Sequence, residues 1–371
     1  PVSFDVTEEN STQEGGITLI KVDKPNMAQK GTIFVEKTGE VFFGVNVFGE
    51  EDKDVIYQPV YKVKGLAGAV YEITADEDVI TPDGTLRYHK GDVVDTVTTD
   101  EDGIAKSKEL YLGKYTVVET KAPTGMVINK EKHSVELAYA GQDVAVTETS
   151  TSFYNEIQKV KICLERILEQ DEIFGIGKND EIKNISFGLY AKEDVVSSSG
   201  TVIPADGLIE IITLDGNGKA TVNTDLPFGS YYIKEVATDE HYILSDTQYP
   251  FTFEYVGQDT ETVEIKVNDG KPIENKLIYG SVSGKKIDEN GEALGGALIG
   301  IFKADETEFT KEHAIMTATS EKDGSFSFAK VPYGKWIVRE IEAPEGFVLY
   351  DTSYEVNIGE NEQVIEVKIT D

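Results

Sequence analysis

The chain has 371 residues, 39% of them hydrophobic, enough for two to four domains with cores of ordinary size. Its 68 acidic residues against 35 basic ones leave a net charge of −33, which argues against nucleic acid and anionic membrane as partners, since both reward lysine and arginine patches. One cysteine, Cys163, excludes an internal disulfide framework, four scattered histidines lack metal-ligand spacing, and no apolar run is long enough to cross a membrane, so no cofactor, metal or membrane insertion is expected.

Taken in chain order, "PVSFDVTEENSTQE" (1–14) reads either as the tail of a preceding unit or as a strand that pads the first domain. An opening strand follows in "GGITLIKVDKPN" (15–26), then an insertion at 25–63 containing "VFFGVNVFGEEDKDVIYQPVYKV". A strand of small and apolar residues comes next (65–73), then a D-G turn with its strand in "TDEDGIAKS" (99–107), and then "YLGKYTVVE", which ends in Glu119. The same four parts recur twice. They are "QKVKICLERILEQD" (158–171), "ISFGLYA", "LDGNGKATV" and "LPFGSYYIKE" with Glu235, then "GSVSGKKIDENG" (280–291), "LGGALIGIFKA", "SEKDGSFSF" and "VPYGKWIVRE" with Glu340. From turn glycine to glutamate the count is 16, 17 and 16 residues (Gly103, Gly218, Gly324), so the chain is an internal repeat of three units.

Short alternating apolar runs bounded by D-G and N-G turns argue strands and hairpins, with no sustained helical period. The fold class is therefore all-β, with three tandem antiparallel sandwiches at 15–156, 157–277 and 278–371. Linkers such as "FYNEIQKVK" and "IENKLIYGS" are short, which predicts a stiff, elongated rod.

Each unit also places three polar residues where an apolar face should run. Ile17, Leu19 and Lys21 share a strand face, as do Val282 and Lys286. A single lysine ending such a stripe usually snorkels to water. Here the lysine recurs with a matched glutamate, and each unit closes on an amide or acid: Asn155, Asn275 and Asp371. Burial lowers a lysine pKa and raises a glutamate pKa. A neutral amine can then attack a side-chain carbonyl that the glutamate polarises while shuttling the proton, releasing ammonia or water and leaving an isopeptide cross-link. Such a step occurs once per domain, so the protein is not an enzyme in the turnover sense.

These residues resemble the Cna B-type (SpaA-like, prealbumin-like) repeat domains of Gram-positive surface adhesins and pilins. The resemblance is carried by "KVDK" and "KKIDENGEALGGA", by "TDEDG…GKYTVVETKAPTGM" and "KDGSF…YGKWIVREIEAPEGF", and by the closing "FYN" and "IEN", over most of 15–371. It implies immunoglobulin-like or prealbumin-like sandwiches in a secreted stalk, anchored to the cell wall by sortase, in contact with neighbouring stalk domains. It also implies Lys21–Asn155 and Lys286–Asp371 bonds, with Glu119 and Glu340 catalytic.

The second unit departs from that pattern. Eleven residues separate Asn275 from Lys286, and eleven separate Asn155 from Arg166, so an arginine stands at the lysine position. Arginine stays protonated and is a poor nucleophile, so an Arg166–Glu235 ion pair near Asn275 is expected instead of a bond. If the strand phase were opposite, Lys159 or Lys161 would face Asn275. The "DEDG", "DGNG" and "EKDG" stretches lack the acidic twelfth residue of a calcium loop and read as turns. Two further functions stay open. One is a ligand-binding adhesin that contacts a host or extracellular-matrix protein through the 25–63 insertion. The other is a conventional enzyme, for which no catalytic constellation is visible.

Overall fold

The computed structural model describes residues 5–9, 11–20, 26–49, 55–222 and 224–370. It divides into two compact units. The first holds Pro1–Glu40, Val63–Ile157 and Gly257–Asp259; the second holds Val41–Lys62, Gln158–Val256 and Thr260–Asp371. Among the described residues, three hydrophobic cores lie within them, one in the first unit and two in the second.

Each core is closed by two sheets, and each repeat builds them alike. In the first repeat the strand Val70–Ala75 lies between Val93–Thr98 and the glutamate strand Gly113–Lys121, with Lys132–Leu137 outermost. In the third, Leu298–Lys303 lies between Met316–Thr319 and Gly334–Glu342, with Ser353–Ile358 outermost. The second repeats the order with Leu208–Thr213, Ser186–Ala191, Gly229–Ala237 and Gln248–Phe253. The facing sheet always pairs an opening strand with a closing strand in parallel: Lys30–Phe48 with Val146–Asn155, Lys159–Leu168 with Ile273–Asn275, and Tyr279–Ile287 with Val364–Thr370. Alternation along these strands sets their faces. Ile33 and Val35 are fully buried, and so are Val282 and, within a few per cent, Ile162 and Leu164. Burying each such side chain contributes about 1.5–3 kcal/mol.

An aromatic residue two positions after the first glycine of each glutamate strand anchors the core and spends its polar atom on the backbone. The Tyr115 hydroxyl donates to the Tyr111 carbonyl, that of Tyr231 to Pro227, and the Trp336 indole N–H to Pro332. The predicted all-β class, with one sandwich pattern repeated three times, is the observed one.

One expectation for the first repeat needs correction. The stretch Ser11–Glu14 pairs with Ile17–Ile20 in a small hairpin, and Ile17 and Leu19 are exposed (65% and 48%), so that stripe does not face a core. The strand beside the closing strand is Lys30–Phe48, whose Ile33, Val35 and Lys37 repeat the alternation of Ile17, Leu19 and Lys21. Within the second unit, Phe42, Val45 and Tyr57 pack against the core of the second repeat, and Ile56 pairs with Leu208.

Candidate functional site

Parallel pairing of opening and closing strands fixes where their polar residues meet. Lys37 is registered with Phe153, which places Asn155 two residues further on the same inward face. Arg166 is registered with Ile273, two before Asn275, and Lys286 with Ile369, two before Asp371. The D-G turn locks the register from the other side. Lys37 N–H donates to the Gly103 carbonyl at 2.7 Å, Arg166 to Gly218 at 2.7 Å and Lys286 to Gly324 at 2.8 Å. These glycines have φ of +80°, +73° and +75°, and a Cβ on any of them would meet the carbonyl oxygen of that same partner at 2.2–2.3 Å. Glycine is therefore required by both backbone conformation and close approach. The carboxylates of Asp100 and Asp215 accept backbone N–H groups within their own turns, as turn residues do.

In the first repeat, Lys37 Nζ donates to Asn155 Oδ1 at 2.5 Å. Asn155 Nδ2 donates to Glu119 Oε1 and Oε2 at 3.0 and 2.9 Å, and Lys37 Nζ lies 3.9 Å from Glu119 Oε1. All three residues are buried. The Tyr71 hydroxyl donates to Glu119 Oε1, and the Asn129 amide donates to Oε2. Burial pushes the Lys37 ammonium down from 10.5 to about 8, although Glu119 opposes that shift. An amine, an amide carbon and a carboxyl thus share one water-excluded pocket. Lys21, the residue predicted for this position, lies outside the described residues; the amine beside Asn155 is that of Lys37.

The third repeat sets Lys286 Nζ 3.4 Å from Glu340 Oε2, with both side chains fully shielded from solvent. Burial lowers the Lys286 pKa, again against the pull of Glu340. Glu340 Oε2 also accepts the Tyr350 amide, while Oε1 is buried without a hydrogen-bond partner among the described residues. Asp371 lies outside the described residues.

In the second repeat, Arg166 Nη2 donates to Glu235 Oε1 at 2.9 Å, and Asn275 Nδ2 donates to the same oxygen at 2.9 Å and to Thr238. Ser245 N–H donates to Glu235 Oε2. Arg166 Nε and Nη1 and Asn275 Oδ1 have no hydrogen-bond partner among the described residues. The guanidinium lies over the Phe187 ring, 5.5 Å from its centroid. Lys161 is exposed and Lys159 half-buried, while Ile162, Leu164 and Arg166 face inward.

Residues beyond those read from the sequence also serve the sites. In each repeat, the amide ten residues after the glutamate donates to its Oε2: Asn129, Ser245 and Tyr350. The residue paired with the glutamate across the strand is Tyr71, Phe187 or Ile299, so the first repeat alone adds a hydroxyl. The spacing from turn glycine to glutamate carries part of that signal, and the turn glycine touching the opening strand marks Lys37.

Tandem prealbumin-type sandwiches, each with a buried cation–glutamate pair between opening strand and glutamate strand, define the class. The chain belongs to the SpaA prealbumin-like fold domain family, which matches it at residues 60–151, 174–271 and 280–371. It is similar to the trypsin-resistant surface T6 protein of Streptococcus pyogenes serotype M6, with 28% identity over 138 residues, 36% of this chain and 24% of that one. Among solved structures it resembles the Bacillus anthracis TIE protein, with a TM-score of 0.59, 20% identity, and coverage of 92% of this chain and 51% of the other. It also matches BcpA, the major pilin subunit of Bacillus cereus, at 16% identity over 92% and 99% of the two chains, with a TM-score of 0.37. The chain thus spans about a quarter of the T6 protein and about half of the TIE protein. The fold is the prealbumin-like one, matched in three repeats. Among the described residues, no helix is long and apolar enough to cross a membrane.

Proposed function

We propose that the chain is a stalk region of a Gram-positive surface protein, stiffened by two self-formed isopeptide bonds, Lys37–Asn155 and Lys286–Asp371. The observation that carries this reading is the buried contact of Lys37, Asn155 and Glu119. In the first repeat the neutral Lys37 amine adds to Asn155 Cγ. Glu119 takes a proton from the attacking nitrogen and delivers one to the departing Nδ2, so the C–N bond to Nδ2 breaks, ammonia leaves and the carboxyl is regenerated. Water exclusion and the fixed strand register supply proximity. In the third repeat the same sequence on a carboxyl releases water. Two observations support Asp371 as acceptor: its sequence offset from Ile369 equals that of Asn155 from Phe153, and Glu340 Oε1, equivalent to a Glu119 oxygen that holds Asn155, is buried with no hydrogen-bond partner among the described residues. Such a stalk belongs outside the cell, joined to the wall by sortase. The surface T6 protein's name favours that location.

The test is intact mass under denaturing conditions. The expected value is the sequence mass less one ammonia and one water. Digestion should yield a branched peptide joining the Lys37 and Asn155 segments, and Lys37→Ala should restore the ammonia whereas Lys21→Ala should not. An unchanged mass for the parent chain overturns the reading.

One observation favours the adhesin alternative. Most of the insertion's aromatics are engaged, but Val47 and Phe48, at the end of the Lys30–Phe48 strand, are exposed (59% and 52%). Replacing both by Asp should abolish binding to a host matrix protein if that reading holds, and leave the mass loss untouched.

A further inference from the structure

Seven residues after each strand glutamate, the chain makes the same turn. Met126 N–H donates to the Pro123 carbonyl, Tyr242 to Asp239 and Phe347 to Pro344, at 3.0–3.1 Å. In the first two repeats that turn is covered by the residues directly following the closing asparagine. Met126 forms an antiparallel bridge with Ile157, and Val127 N–H donates to the Glu156 carbonyl at 2.9 Å. Tyr242 does the same with Leu277, and Ile243 N–H donates to the Lys276 carbonyl at 2.9 Å. Met126 and Tyr242 are consequently buried, at 6% and 2% exposure. In the third repeat, Phe347 is 43% exposed and Val348 86%, with Leu349 and Tyr350 exposed beside them. Among the described residues, no strand or linker pairs with Phe347.

We propose that the Phe347–Tyr350 loop is a docking edge for one kind of partner: an extended peptide entering directly after position 371 with an aliphatic residue at its second position. Wherever this domain is followed by further chain, those two residues take the places of Glu156–Ile157 and Lys276–Leu277. The first backbone carbonyl receives the Val348 N–H, and the aliphatic side chain covers Phe347. The two covered copies within this chain define the occupant's direction, its register and its apolar second residue. In that arrangement the apolar Phe347–Tyr350 face is covered in cis, by a β-bridge rather than a full strand.

The experiment extends the full chain after Asp371 by Lys-Leu-Ile-Tyr, the sequence of residues 276–279, and compares it with a Lys-Asp-Ile-Tyr extension and with no extension. Hydrogen exchange across 346–350 is the readout. The leucine extension should slow exchange of the Val348 amide by about tenfold or more, the aspartate extension should not, and Phe347→Ala should erase the difference. Equal exchange in all three chains overturns the proposal. So does equal protection by both extensions, or concentration-dependent protection of the unextended chain, which would make a second copy the occupant. Intact mass read on the same samples reports the cross-links separately, so failure of the stalk chemistry and failure of docking are distinguishable.

Discussion

At the scale of single residues, the site chemistry turns on which cation is held beside the glutamate. Lys37 titrates near 8 because burial penalises its ammonium more than Glu119 supports it. The rate of bond formation in the first repeat should therefore fall about tenfold per pH unit below pH 8 and level off above it. Mass loss followed after chain synthesised into denaturant is diluted into buffers between pH 5 and 9 would show this; a rate independent of pH would refute the amine as nucleophile. The same shift has a stability counterpart in a chain that cannot cross-link. In Asn155→Ala, unfolded Lys37 binds its proton up to about 10.5 and folded Lys37 only up to about 8, so the unfolded state holds more protons between those values. Stability of that repeat should rise with pH across the window, and the rise should vanish when Lys37→Met is added. Glu119→Ala and Glu340→Ala should each stop one cross-link and lower the melting temperature of their own repeat. By analogy with disulfides, closing loops as long as 37–155 and 286–371 stabilises by roughly 4–5 kcal/mol.

At the scale of strands, what sets the second site apart from the other two is the cation of its opening strand. The second repeat keeps the glutamate, the asparagine, the turn glycine and the parallel register, with Arg166 in place of a lysine. Arg166→Lys should therefore install a third bond, seen as one more ammonia lost and a branched peptide joining the segments around positions 166 and 275. Ordinary mass in a folded variant would show that the Glu235 pocket holds a salt bridge only. The inward phase of Arg166 was readable from sequence because Ile162 and Leu164 alternate with it and Asn155 fixes the spacing. The first opening strand was not readable in the same way. "ITLIK" and "IFVEK" offer the same apolar alternation ending in lysine, and local pattern cannot decide which lies beside the closing strand. What decides is tertiary: Gly103 contacts the backbone of Lys37, and Asn155 reaches its amine. The long insertion separated that strand from the spacing that marks the other two. The packing of Phe42, Val45 and Tyr57 on the second repeat was likewise invisible, since it joins residues far apart in sequence.

At the scale of the whole chain, the two proposed bonds and the Arg166–Glu235 ion pair would make the repeats unequal under load. Force applied to the ends would pass along the backbone to Lys37, through the side chains to Asn155, and leave the first repeat through its closing strand. It would enter the third repeat at Lys286 and cross to Asp371 in the same way. With both proposed bonds formed, the backbone from 155 to 286 would carry load without a covalent shortcut, because Arg166 and Asn275 meet Glu235 through an ion pair and hydrogen bonds. Single-molecule stretching should therefore release the second repeat and nothing else, about 130 residues or roughly 450 Å of extended chain. In Glu119→Ala a second release should appear for the residues between 37 and 155, since that loop is then no longer bypassed. In Arg166→Lys, once cross-linked, the first release should shrink to the linkers. A parent chain that yields three full-length releases would show that none of the buried lysines has reacted, and the repeats would then be held by packing and ion pairs only.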